Sequence, residues 1–167
     1  MNGCYGRPVT PDPTALDMLQ LILRLGSALL VGSALGINRD LRHKAAGLRT
    51  HALVSVGSAL AVLVPITMSP LNVDAAARVM QGLLTGIGFL GAGVIIHHER
   101  HKRVQGLTTA ASLWVSAVLG MACGAGHLVL VGLGVTAVLL VLIAGGPFER
   151  AIERRFLKTD DPEPPAP

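Results

Sequence analysis

Apolar and polar positions along this chain segregate on a scale of about twenty residues, the length a helix needs to cross a bilayer. Five stretches are nearly free of charge: 16–37, 50–68, 78–96, 106–125 and 128–144. Lipid has no partner for a free backbone N–H or C=O, so each is expected to be a membrane-spanning helix. The fifth stretch is the shortest and ends at Gly145-Gly146-Pro147, where a proline predicts a stop. Only Gly124-Ala125-Gly126-His127 separates the fourth from the fifth, which predicts a tight turn. Beyond the proline, Phe148, Ile152 and Phe156 recur at helical spacing with charges on the other face. Residues 147–158 are therefore expected to form a short amphipathic helix lying on the membrane surface. Residues 159–167, Pro-rich and acidic, are expected to be disordered. Residues 1–15 hold three prolines and no apolar core, so a tail outside the membrane is expected rather than a cleaved signal. The fold class predicted is an all-α integral membrane protein with one five-span domain over 16–146.

Composition strengthens this picture. The 167 residues are 51% hydrophobic and only 14% charged, against about 25% charged in soluble domains. The mean hydropathy is +0.58, more apolar surface than a soluble domain of this size can hide. Aromatic residues at 3% argue against modules that stack nucleic-acid bases. The net charge of +4 is unevenly placed. Eleven of the 14 basic residues fall in 38–49 (Arg39, Arg42, Lys44, Arg49), 97–105 (Arg100, Lys102, Arg103) and the tail (Arg150, Arg154, Arg155, Lys158). Five spans put these three regions on one side, and the positive-inside rule makes that side the cytoplasm, with the N-terminus outside. The basic charge then follows from a membrane topology and needs no nucleic acid.

Several polar and small residues stand out inside this pattern. Asp17 and Arg24 lie two turns apart on one face of the first span, and an intramembrane charge requires a partner or water. Asp74, Arg78 and Gln81 are candidate partners for a polar pathway on the outer half. Two spans begin alike, with Gly47-Leu48-Arg49-Thr50 and Gly106-Leu107-Thr108-Thr109. Thr50 and Thr109 are placed to cap those helices, and the echo suggests two parallel-repeated helical hairpins plus a fifth helix. Two helix N-termini beside Arg49 are also a potential anion site, or a contact for lipid phosphates. The third span carries Gly86, Gly88, Gly91 and Gly93, a run expected to make it the central packing helix, with Ala28, Gly32 and Gly36 of the first span as its mate. Its GxGxxG match lacks the strand–turn–helix context of a dinucleotide site. His97, His98 and His101 do not form HExxH, and Cys4 and Cys123 form no cluster. No metal site, cofactor or catalytic constellation is predicted, and the chain is read as a non-enzyme.

The strings RLGSALLVGSALGINRDLRHKAAGLRTHAL, GIGFLGAGVI and GLTTAASLWVSAVLG resemble the membrane domain of the MgtC/SapB family. That resemblance implies a five-span bacterial inner-membrane protein, without the soluble C-terminal domain of longer members. It implies a regulator of another membrane protein, such as the F-type ATP synthase, or of itself, in adaptation to low Mg²⁺ or to acidic and intracellular stress. The alternative is a transporter or channel for Mg²⁺ or another small solute. By position, the resemblance marks Asn38 and Arg39 at the end of the first span, Gly47 to Thr50, Gln81, and Gly106 to Thr109. Asn38 stands where the family usually has an acid, and Gln105 where it has an arginine.

Overall fold

The structure is a computed structural model, and it describes residues 17–69, 72–98 and 103–156. The tails expected at 1–15 and 159–167, and Glu99 to Lys102 of the basic loop, lie outside the described residues. Five helices follow the five apolar stretches: α1 (Met18–Asp40), α2 (Leu48–Met68), α3 (Val73–Val94), α4 (Leu107–Ala125) and α5 (Leu128–Phe156). All five are long and apolar enough to cross a membrane. Two three-residue strands, β1 (Ile96–His98) and β2 (Arg103–Gln105), pair antiparallel between α3 and α4, with Ile96 opposite Gln105. This short hairpin is an addition to the helical fold that the apolar pattern does not announce.

Two helix boundaries differ from expectation for identifiable reasons. α3 starts five residues before Arg78, because the Asn72 carboxamide accepts from the Ala75 N–H at 3.2 Å and Asp74 occupies the first turn. Both groups suit the positive end of a helix. α5 does not stop at Gly145-Gly146-Pro147 but runs on to Phe156. The separate surface helix expected at 147–158 is therefore the end of the fifth span's own helix. A proline strips the carbonyl four residues earlier of its helical donor. That carbonyl belongs to Ile143, and Arg42 Nη2 donates to it at 3.1 Å. The orphaned group is satisfied from the neighbouring turn, and the helix passes through the proline.

The packing centre is α4, more than half of whose span is enclosed, whereas α3 and α5 are almost wholly at the surface. The expectation that the glycine-rich third span is central is thus corrected. The reason lies in spacing. Ser112, Ser116, Gly120 and Gly124 form a small-residue stripe four apart on α4, and Ser55 and Ala59 form its mate on α2. A Cβ on Gly120 would meet the Ser55 backbone, and one on Gly124 the Ala59 backbone. The α1 stripe Ala28-Gly32-Gly36 also packs on α2, at His51, Ser55 and Leu48, and not on α3. Backbones this close let hydroxyls bind neighbouring carbonyls: Ser55 donates to Ala28 O at 2.7 Å and Ser116 to His51 O at 3.1 Å. In lipid, where helices gain nothing from hiding apolar surface from water, such close approach and interhelical bonding hold a bundle together. Leu53, Phe89 and Val129 are each more than 70% exposed, a surface suited to acyl chains.

Candidate functional site at the basic end of the bundle

The C-terminal end of α1 meets the N-termini of both α2 and α4, and this is the end that gathers the basic turns. The glycines of the repeated motif are the N-caps: Gly47 for α2 and Gly106 for α4. Thr50 and Thr109 therefore sit inside their helices at the third position, and neither caps. That corrects the expected role, and the cause is that each helix begins at the leucine after the glycine. Gly106 has φ +95°, and a Cβ there would strike the Val94 carbonyl, so only glycine fits this turn.

The two N-termini are treated differently. At α2 the Asp40 carboxylate accepts from the Leu48 N–H at 2.9 Å and lies against Gly47, where it faces the positive end of the helix. Asp40→Ala should cost about 1 kcal/mol by loss of this cap, read as a lowered midpoint in denaturant titration of the helical signal. At α4 the N-cap residue is Gly106, which has no side chain to cap the helix. Instead Arg39, only 2% exposed, donates from Nη2 to Thr109 Oγ1 at 2.8 Å, while its Nε has no partner. Asn38 Oδ1 is likewise buried without a partner.

Beneath Arg39 lies a polar layer. His51, fully buried, donates from Nδ1 to the Gly47 carbonyl at 3.0 Å. Its Nε2 is 3.1 Å from Ser112 Oγ, a hydroxyl that also reaches the Thr109 carbonyl at 2.8 Å. The layer thus joins the start of α2 to the start of α4. An open cavity of about 580 Å³ adjoins it, bounded by His43, Lys44, Gln105, Gly106 and Thr109.

Of the residues singled out from sequence, Arg39, Gly47, Leu48, Gly106, Leu107 and Thr109 are brought together here. Arg49, Thr50 and Thr108 are in the same first turns but exposed. Asp17 and Arg24 do not pair. Arg24 reaches across to the far end of α4 and donates from Nη1 to Gly124 O at 2.8 Å, while Asp17 is exposed at the start of α1. Asp74, Arg78 and Gln81 are exposed on α3 and make no bond to Arg24. No outer polar pathway is assembled from these residues. Gly32 and Gly36 are in tight helix contact. Gly91 touches Ala110, but Gly86, Gly88 and Gly93 face open space. Asp40, His51 and Ser112 also belong to this end and carry no mark in the sequence reading, and Arg42 entered it only as one of the basic residues. For Ser112 the signal was present, a four-residue spacing of small residues through Gly124. Among the described residues no group of three or more His, Cys, Asp or Glu side chains is placed to hold a metal ion.

No solved structure matches the chain. SrpB of Synechococcus elongatus is 44% identical over 128 residues, 70% of this chain and 70% of that protein. MgtC of Salmonella typhimurium is 46% identical over 110 residues, 66% of this chain but 46% of MgtC. YhiD of Escherichia coli is 39% identical over 130 residues, 74% of this chain and 59% of YhiD. The chain therefore spans about half the length of MgtC and under two thirds of YhiD. The model of the MgtC family matches residues 25–151, a range that contains both glycine-capped helix starts, Arg39, most of the first span and the other four, and on that match the chain belongs to the MgtC family.

Proposed function

We propose that this protein is a non-catalytic modulator that binds another protein of the bacterial inner membrane through α3. The observation that carries this reading is the exposed glycine face of that helix. Gly82, Gly86, Gly88 and Gly93 all have open space where a Cβ would be, whereas Gly32 and Gly36 of α1 and Gly120 and Gly124 of α4 meet the backbone of a neighbouring helix. Phe89, 83% exposed, stands beside them. Small residues that let a second backbone approach, next to one large aromatic knob, suit a helix from a partner. The partner to test first is the F-type ATP synthase, which the family resemblance suggests, followed by a second copy of this chain. The setting proposed is adaptation to low Mg²⁺ or acidic stress, with the N-terminus outside and the C-terminus in the cytoplasm, a topology supported by the positive-inside rule applied to the basic turns.

Gly86→Leu is expected to leave the protein inserted and folded, yet to abolish rescue of growth at low Mg²⁺ and crosslinking from α3 to its partner. Lys102→Ala should change neither. Gly91→Leu is less decisive, because Gly91 also packs on Ala110 at 3.5 Å. Full activity of a Gly86→Leu, Gly93→Leu double variant would sink the proposal. The second reading is Mg²⁺ transport, favoured by the name of YhiD, which is provisionally that of a magnesium transporter. Saturable Mg²⁺ flux in proteoliposomes of the purified protein would support it over the modulator.

A further inference from the structure

His51 has no exposed surface and lies one helical turn inside α2 from its N-cap, Gly47. Its two ring nitrogens meet different demands. Nδ1 is 3.0 Å from Gly47 O, and a carbonyl can only accept, so Nδ1 carries a proton. In a neutral imidazole Nε2 is then an acceptor. It faces Ser112 Oγ at 3.1 Å, but the single proton of that hydroxyl is also offered to Thr109 O, at 2.8 Å. Two acceptors therefore compete for one proton at the joint between the start of α2 and the start of α4. A second ring proton removes the conflict. In the imidazolium, Nδ1–H donates to Gly47 O, Nε2–H to Ser112 Oγ, and the Ser112 hydroxyl to Thr109 O, so every donor has its own acceptor. Ser116 does not alter this balance, because it donates to the His51 backbone carbonyl and not to the ring.

The charged groups that His51 feels are Arg39 and Asp40, both from α1. A cationic ring is repelled by the first and attracted by the second. α4 presents only the hydroxyls of Thr109, Ser112 and Ser116 to this layer. Arg49 on α2, and His43 and Lys44 in the turn before it, are exposed to water. Asp74 and Arg78 lie in the first two turns of α3, which follows the far end of α2. From the pairing of donors and acceptors we infer that His51 is an acid-operated latch. On acidification Nε2 takes a proton from the water at the basic face, and the bonded chain Gly47–His51–Ser112–Thr109 locks the start of α2 to the start of α4. Histidine is the side chain whose charge changes between pH 5 and 8, and a hydrogen-bonded network in a low-dielectric layer strengthens once every member is satisfied. The latch is independent of the partner assigned to α3.

The test uses the full chain, labelled with ¹⁵N-histidine and purified in a non-ionic detergent, with the ring nitrogens followed by NMR from pH 8 to pH 5. The His51 signals are identified by their loss in His51→Gln. At pH 8 one nitrogen should carry a proton and the other should be bare. By pH 5 both should be protonated, with the Nε2 proton exchanging slowly with water because Ser112 holds it. Arg39→Gln removes the repelling charge and should raise the pH of this transition by about one unit. Asp40→Asn keeps an oxygen for the Leu48 N–H but removes the attracting charge, and should lower it. Ser112→Ala removes the acceptor of the new proton and should also lower it, whereas Thr108→Ala, exposed in the same helical turn, should leave it unchanged. A histidine that is merely structural would keep a bare Nε2 throughout, and that result overturns the inference. So does a transition that stays in place in Arg39→Gln, Asp40→Asn and Ser112→Ala alike, or an Nε2 proton that exchanges freely with water in the natural protein at pH 5.

Discussion

Gly120→Leu is expected to unfold the bundle. A Cβ at this position would meet the Ser55 backbone on α2, and backbone atoms cannot rotate aside as a side-chain tip can. α2 and α4 would have to separate along the stripe that also holds Gly124 against Ala59. Separation would break the Ser116 bond to His51 O and disturb the Ser55 bond to Ala28 O. Overpacking a core with side chains costs about 1–3 kcal/mol, and here the obstacle is a helix backbone, so a loss of at least about 3 kcal/mol is expected. Unfolding in detergent, followed by circular dichroism against a graded denaturing detergent, reads it directly. Gly86→Leu, on the open face of α3, should stay within about 0.5 kcal/mol of the natural protein. Equal stability of the two variants would show that α4 is not the packing centre.

Arg24→Met should be the second most damaging change, by about 2–4 kcal/mol. The guanidinium donates to Gly124 O at 2.8 Å, in the last turn of α4, and lies against Gly126, whose φ of +86° ends that helix. A hydrogen bond from a charged donor contributes about 1.5–3 kcal/mol, and a cation at a helix C-terminus adds about 0.3–1 kcal/mol from the dipole. Asp17→Asn should change stability by less than about 0.5 kcal/mol, because Asp17 is exposed and makes no side-chain cap bond. The same denaturation series measures both. If Asp17→Asn proved as damaging as Arg24→Met, the two residues would be an ion pair after all.

α1 thus holds α4 at both ends, with Arg39 at its start and Arg24 at its finish. The two arginines are fifteen residues apart on one helix, and the antiparallel run of α1 and α4 converts that separation into contacts with opposite ends of the neighbour. Periodicity along α1 could suggest that Arg24 needs a partner. It could not show that the partner is a backbone carbonyl a hundred residues away, because a carbonyl is present at every residue and carries no sequence signal.

The same distinction governs the glycines. Runs of glycine on α3 are dense and conspicuous in the sequence, but density does not decide packing. The four-residue spacing Ser112-Ser116-Gly120-Gly124 does, because it places small residues on one line along the helix and lets α2 lie against it. That signal was legible and was hidden among serines. The continuation of α5 through Pro147 was not legible, because it depends on Arg42 arriving from a turn a hundred residues earlier to take the Ile143 carbonyl.

What the sequence determined by itself was the number of spans, their approximate limits and the gathering of basic turns at one end. These follow from the thickness of a bilayer and its intolerance of free backbone groups and charges, which act on each segment alone. The glycine-led motifs at Gly47 and Gly106 were legible for the same reason, since a helix start is a local event. Only the tertiary structure decided which helix is central, where the arginines go, and that one helix start receives a carboxylate while the other receives a buried guanidinium. Those outcomes depend on which faces meet, and facing is set by the close fit of distant stripes rather than by any segment's own composition.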